Sequence, residues 1–278
     1  MSEVRYHMLR PEQIVARRKE RPVVYIPLGT LEWHGLHNPV GADTLQAEGL
    51  AILCAEKGGG LVFPPLYYGE SRVESLMEFD GEDRDLIAEK MELCPDNFQA
   101  DKHPFTATEQ VLNYHKLLLH ILAEAESLGF KVAVLVAGHY PLIDHARAAA
   151  LHFNKRRFKV VRSGQRYGML VWACLDYLLI AERYDCAGDH AAGWETSHLL
   201  ALQPQTVDLS LLPQTGQKLI GVNGEMPPQD ASAEFGRETL EASAEVAVKE
   251  VKHRLANREV YFKSGCSLSE GLWKQNKA

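Results

Sequence analysis

Cysteine is scarce and unpaired in pattern. The five residues Cys54, Cys94, Cys174, Cys186 and Cys266 are odd in number and never form a C-x-x-C pair. This argues against a disulfide framework and a cysteine zinc site, and for reduced thiols in a cytoplasmic protein. Long apolar runs are also missing. None approaches the ~20 residues of a membrane span, and Met1 to Arg10 lacks the apolar stretch of a signal peptide. The expectation is a soluble, cytoplasmic chain with no membrane partner. Positive charge is not in excess, with 30 Lys and Arg against 37 Asp and Glu and a formal net charge of −7. No basic stripe carries interleaved aromatics, so a nucleic-acid partner is not expected. No Ser/Gly/Pro-rich linker divides the chain, and its 278 residues read as one domain over 1–278.

What is present is alternation. Pro11 to Glu20 reads as a short charged helix, and Val23–Leu28 as a buried strand. A helix is predicted over Thr44–Glu56, ended by Gly58-Gly59-Gly60, and a short strand at Leu61–Phe63. Tyr67 to Phe105 is irregular, with room for one helix. Thr106-Ala107-Thr108-Glu109 is a capping-box signature, and the helix it starts has Val111, Leu118, Ile121, Leu122, Ala125 and Leu128 at helical spacing. Lys131 to Ala137 is apolar after its first residue, as strands buried on both faces are. A helix from Pro141 to Asn154 and a strand at Phe158–Val161 follow, and a last helix spans Ser232–Leu255 with an aromatic tail at Tyr261–Trp273. Repeated strand–helix alternation predicts an α/β fold, three-layer α/β/α with a mainly parallel central sheet. Such sheets bind ligands at the carboxyl ends of their strands.

Chemistry-bearing residues collect at those ends. Gly29 to Asp43 holds Glu32, His34, His37 and Asp43 directly after the first strand, and His139 follows the strand ending at Ala137. Glu32 and His34 are two apart, so in extended backbone they project from one face. Gly35 and Asn38-Pro39 allow the chain to fold Asp43 back toward them. Carboxylates plus imidazoles suit Zn²⁺, Mn²⁺ or Fe²⁺ rather than Ca²⁺, and such ions make hydroxide available at neutral pH. A third segment, Gly188-Asp189-His190-Ala191-Ala192-Gly193-Trp194-Glu195-Thr196-Ser197, offers His190 as a proton donor. In it Asp189 is placed to fix the His190 tautomer, and Glu195 to bind metal or orient another ligand. Plainer roles compete: Asp43 as a helix cap, Trp194 as a packing residue, Glu70 to Asp85 as a solvated loop, and the other histidines as hydrogen-bonded or surface residues.

Pro27-Leu28-Gly29-Thr30-Leu31-Glu32-Trp33-His34-Gly35 with Asp43 resembles the P-x-G-S-x-E-q-H-G…T-D signature of the creatininase family of metal-dependent amidohydrolases. Ala137-Gly138-His139-Tyr140 resembles its N-G-H motif, and His190-Ala191 with Glu195-Thr196-Ser197 its H-A-G-x-x-E-T-S motif. The similarity runs from about Val23 to Leu202, with a C-terminal helix and tail over 230–278 beyond it. It implies a three-layer α/β fold, often a hexamer, with two divalent ions per subunit (zinc, manganese or iron). Position by position, Glu32, Asp43 and His139 would hold one ion, and His34 and Asp43 the other. His190 would be the catalytic histidine, and Tyr140 would line the substrate pocket. Asp189 and Trp194 are expected there too.

The chain departs from the family at Pro141, where creatininase has a metal-binding glutamate, at Ala137, and in lacking an F-P-G-T segment after the second strand. Glu195 is the expected replacement ligand, also with a part in catalysis, ahead of Asp144. The expected activity is metal-assisted hydrolysis of a small cyclic amide, formamide or related carbonyl substrate. The acidic and arginine-rich Tyr67–Phe105 stretch leaves hydrolytic C–C opening of a keto-cyclitol ring as an alternative. A metal-binding protein with a decayed site is the alternative of another class, and a homo-oligomer is the expected assembly.

Overall fold

Four short segments rich in valine, leucine and alanine form the sheet: β1 (Val23–Leu28), β2 (Leu61–Val62), β3 (Val132–Ala137) and β4 (Leu170–Leu175), with every residue buried. The computed structural model describes residues 3–73, 76–162, 168–214 and 217–261. Among them the strand order is β2-β1-β3-β4, and every pairing is parallel. Pro27 lies inside β1, where a missing donor would normally break the ladder. Its carbonyl accepts from Leu66 N at 3.0 Å, so its donor side faces β2, and β2 has already ended at Val62.

The helices are α1 (Pro11–Glu20), α2 (Ala42–Gly58), α3 (Met77–Asp80), α4 (Arg84–Lys90), α5 (Ala107–Ser127), α6 (Leu142–Arg162), α7 (Asp176–Ile180), α8 (Gly193–Leu202), α9 (Ala233–Ala256) and α10 (Arg258–Tyr261). Strand residues alternate between two cores because successive side chains point to opposite faces. Ile26, Leu135 and Ala173 meet α5 and α6 through Leu118, Leu122, Ala146 and Phe153. Tyr25, Val134 and Trp172 meet α2 and α9 through Leu50, Cys54, Leu240 and Ala244. Each large side chain so buried contributes about 1.5–3 kcal/mol. The three layers and the parallel sheet are those the alternation predicted.

Local signals explain several boundaries. At α5 the capping box forms as read: Thr106 Oγ1 accepts from Glu109 N at 3.3 Å, and Glu109 Oε2 accepts from Thr106 N at 2.9 Å. α9 begins where Ser232 Oγ accepts from Phe235 N. The strand expected at Phe158–Val161 does not exist, because α6 continues to Arg162. The fourth strand comes later, at Leu170–Leu175. A short F-K-V-V run fits either structure, since periodicity cannot separate a buried strand from a helix turn at that length. The Tyr67–Phe105 stretch contains α3, α4 and two 3₁₀ turns rather than one helix. Of the expected tail, Tyr261 closes α10 and the rest lies outside the described residues.

The topology positions the site. From β1 the chain passes through α2 to β2 on one side, then returns past β1 to β3 and β4 on the other. α2 packs on one face of the sheet and α6 on the opposite face. The connections leaving β1 and β3 therefore diverge, which opens a crevice at the carboxyl ends of these neighbours, where Leu28 pairs with Ala137.

Candidate metal centre

Two glycines set how closely α2 approaches that crevice. A Cβ on Gly138 would fall 1.9 Å from the Asp43 carbonyl oxygen, and one on Gly29 would fall 2.2 Å from Thr44 Oγ1. Only residues without a Cβ let the first turn of α2 press on the ends of β1 and β3. Asp43 sits in that turn. It is not the helix cap, a position held by Gly41. Asp43 is 1% exposed, and its carboxylate lies between two histidines.

The expected residues converge. His34 Nε2 stands 2.9 Å from Asp43 Oδ1 and 3.4 Å from Glu195 Oε2. His139 Nδ1 stands 3.0 Å from Glu32 Oε2 and 3.3 Å from Asp43 Oδ2. Ligand atoms of Glu32, Asp43 and His139 thus form one group within 4.8 Å, and those of His34, Asp43 and Glu195 form a second. Asp43 belongs to both. All five side chains are buried, yet Glu32 Oε2 and Asp43 Oδ2 have no hydrogen-bond partner among the described residues. Buried carboxylate oxygens are costly in that condition unless a cation or proton compensates them.

Proton affinities respond to the crowding. Burial disfavours a charged His34 ring, but Asp43, Glu195 and Glu32 overcome it and raise the imidazole to about 10. Burial likewise opposes charge on His139, and the adjacent carboxylates of Asp43 and Glu32 raise it well above the ordinary range. Burial pushes Glu195 well above a normal carboxylate, with the charges of Asp43 and Asp189 adding to it against His34. Three acids and two imidazoles share a space that holds positive charge in the form of protons. A divalent ion supplies the same compensation.

The third segment arrives through a strained turn. Ala191 has φ +56°, a left-handed conformation costing a residue with a Cβ roughly 1–2 kcal/mol. The turn aims Ala191 N–H at Glu195 Oε2, 2.8 Å away. Asn223 anchors His190 through both backbone groups. His190 Nε2 donates to the Trp33 carbonyl at 2.8 Å, and its ring lies 4.4 Å from that of His34. Burial, then the charge of His34, lowers His190 to about 4, so the ring is neutral at pH 7 with its lone pair on Nδ1. A ring nitrogen of His190 also falls within 4.8 Å of ligand atoms of Glu32 and His34.

Other expectations require correction. Asp189 does not set the His190 tautomer. Its carboxylate accepts from Trp194 N at 2.6 Å and Glu195 N at 3.1 Å, which binds the start of α8. Burial raises it to about 6. Trp194 is fully buried, donates to Asp176 Oδ2 at 2.9 Å and packs on Tyr184 and Phe235. Its ring is a core ring rather than a pocket wall. Tyr140 is half-buried, with its hydroxyl accepting from Asp189 N at 3.0 Å and its ring on Tyr177. Asp144 is exposed and pairs with Arg147, so it does not join the cluster. His37 is buried and donates to the Ala191 carbonyl at 3.0 Å.

The Glu70–Asp85 stretch is only partly a solvated loop: Glu82 and Asp85 are exposed, but Glu70, Glu78 and Asp83 are buried. Glu78 accepts from Trp33 N at 3.1 Å and from Arg72 at 3.1 Å, while Met77 N donates to Glu32 Oε1 at 2.7 Å. The stretch therefore braces the Glu32–His34 loop from outside. Glu70 Oε1 lies 3.8 Å from His139 Nε2. Sequence reasoning missed both glutamates, since no periodicity marks a buried acid in an irregular segment.

A family model described as creatininase, creatinine amidohydrolase, matches residues 7–251. None of the curated proteins matches this chain. Among solved structures, a creatinine amidohydrolase (creatininase) is 21% identical, with a TM-score of 0.65 over 92% of this chain and 99% of that one. A glutamate-to-glutamine mutant creatininase of Zn-Zn type is 21% identical, with a TM-score of 0.65 over 92% and 99%. A manganese form of creatininase is 21% identical, with a TM-score of 0.64 over 91% and 99%. At such identities these likenesses establish the fold.

Proposed function

The chain belongs to the creatininase family, and from that premise we propose that it is a metal-dependent hydrolase acting on the C–N bond of a small cyclic amide or formamide. The observation that carries this reading is the pair of three-donor groups sharing Asp43. Glu32, Asp43 and His139 would hold one ion, and His34, Asp43 and Glu195 the other. Glu195 thereby takes the place left without a ligand atom at Pro141. The donors fit: three carboxylates and two imidazoles match intermediate divalent ions, and the orphaned oxygens of Glu32 and Asp43 gain a partner. The solved creatininases of zinc and manganese form support the same choice of ions.

Bound there, such ions would make hydroxide available at neutral pH and would offset negative charge developing on the carbonyl oxygen. The remaining work falls to the protein. His190 rests neutral, its Nε2–H fixed on the Trp33 carbonyl, so Nδ1 takes the proton released by the attacking water. The same atom returns that proton to the departing nitrogen, so His190 enters as base and leaves as acid. Asp189 and Ala191 hold Glu195 and His190 in register through the start of α8. A homo-oligomer, hexameric by resemblance, forms part of the same reading, and light scattering measures it.

The test is metal content of the purified protein, then turnover of cyclic amides, formamides and keto-cyclitols with and without chelator. Chelator-sensitive amide hydrolysis is expected, and His190→Ala should keep its metal while losing roughly 10²–10⁴ in rate. Chelator-sensitive opening of keto-cyclitols alone would move the reading to C–C cleavage. Firm metal binding with no turnover would favour a binding protein, and hydrolysis indifferent to metal would overturn the proposal.

A further inference from the structure

We infer that Glu70 is a positioning residue for His139: its carboxylate accepts the Nε2–H of that ring and so fixes the tautomer whose Nδ1 lone pair faces Glu32 and Asp43. The inference rests on the proposed metal centre and adds to it a residue from outside the three sequence motifs.

The geometry is that of a ring held between acids. His139 Nδ1 faces Glu32 and Asp43, and Nε2 faces Glu70 Oε1 at 3.8 Å. Both His139 Nε2 and Glu70 Oε1 are shut off from solvent without a hydrogen-bond partner among the described residues. A neutral imidazole carries one N–H. If Nδ1 serves as a ligand, that hydrogen sits on Nε2, a buried donor needing an acceptor. The separation is too short to admit a water between the atoms and longer than a hydrogen bond by roughly 0.8 Å. The last side-chain torsion of a glutamate is broad and soft, and its rotation is the movement the inference requires to close the gap.

Among the described residues, His139 is the one group of opposite charge that Glu70 meets. Its carboxylate pairs with no other cation among the described residues and receives none of their hydrogen bonds. It is 3% exposed, and its charge contributes, after burial, to holding the neighbouring Tyr114 phenol above its ordinary range. A buried acid aimed at one imidazole is costly to keep unless that imidazole is its purpose. Charge on Glu70 also makes the His139 ring a stronger donor to a cation, as carboxylates behind metal-binding histidines do.

The experiment compares full-length wild type, Glu70→Gln and Glu70→Ala, each stripped of metal. Zinc affinity is measured by competition with a chromophoric chelator, melting temperature is measured on the metal-free proteins, and ¹⁵N resonances of the zinc-reloaded proteins report which His139 nitrogen carries the proton. Glu70→Ala should weaken zinc binding about 10–100-fold and mix the tautomers, while the metal-free melting temperature stays unchanged or rises. Glu70→Gln, whose amide oxygen still accepts from Nε2–H, should recover part of the affinity and carries the test if the alanine variant does not fold. Equal zinc affinity in wild type and both variants would overturn the role of Glu70. Wild type that binds no zinc would overturn the metal centre itself, and the inference with it.

Discussion

Asp43→Asn is the substitution on which the two donor groups most depend. The amide keeps the volume and one oxygen but removes a unit of charge from a side chain 2.9 Å from His34 and 3.3 Å from His139. Asp43 belongs to both groups, so both ions are affected together. With an effective dielectric near 20, a unit charge about 4 Å from a cation contributes about 4 kcal/mol, roughly a thousandfold in affinity. Glu32 and Glu195 each belong to one of these two groups. Element analysis after extensive dialysis should then find Asp43→Asn stripped of both ions, and Glu32→Gln and Glu195→Gln each left with one. Circular dichroism should show α2 intact, since the change lies in charge rather than shape. Asp43→Asn carrying the full wild-type metal complement would refute the bridging role and the electrostatic reasoning behind it.

Gly138→Ala places a methyl 1.9 Å from the Asp43 carbonyl oxygen. It should push α2 off the strand ends, at a cost of at least about 1–3 kcal/mol, with metal lost alongside stability in denaturant titrations. His37 is lowered to about 4 by burial, against an ordinary value of 6.5. The unfolded chain therefore takes up a proton between pH 6.5 and 4 that the fold refuses, and stability falls as pH drops through that window, by up to about 3 kcal/mol. His37→Gln should flatten this slope in urea denaturation, and an unchanged slope would assign the acid limb elsewhere. Exposed Cys94 should react with a thiol reagent in the native protein, whereas Cys54 and Cys174 are buried, with Cys174 pushed up to about 12. Peptide mapping that finds these two modified at native rates would contradict the burial of both in the core between α2, α9 and the sheet.

Much of the site was legible because its chemistry is local in the chain. Glu32 with His34, Gly138 with His139, and His190 with Glu195 each lie within a few residues, and each group sits where a strand ends or a helix begins. Glu195 could be named as the candidate replacement for the ligand missing at Pro141 because few other acids occur in those segments, and the fold brings it within reach of His34 and Asp43. Trp194 was misplaced because a tryptophan beside a catalytic segment carries no mark of whether its ring faces a pocket or a core. Asp189 was read by adjacency to His190, while its carboxylate turns the other way to bind the first amides of α8.

The sequence by itself determined the layers and the residue types at the strand ends, since apolar runs of strand length and helical spacing follow from each segment's own pattern. Only the tertiary structure decided the strand order that makes β1 and β3 neighbours, the approach of α2 that Gly29 and Gly138 permit, and the burial of Glu70 and Glu78. Those depend on contacts between segments far apart in the chain. A carboxylate in an irregular stretch looks alike whether it meets water or, as Glu70 does, a histidine about seventy residues away.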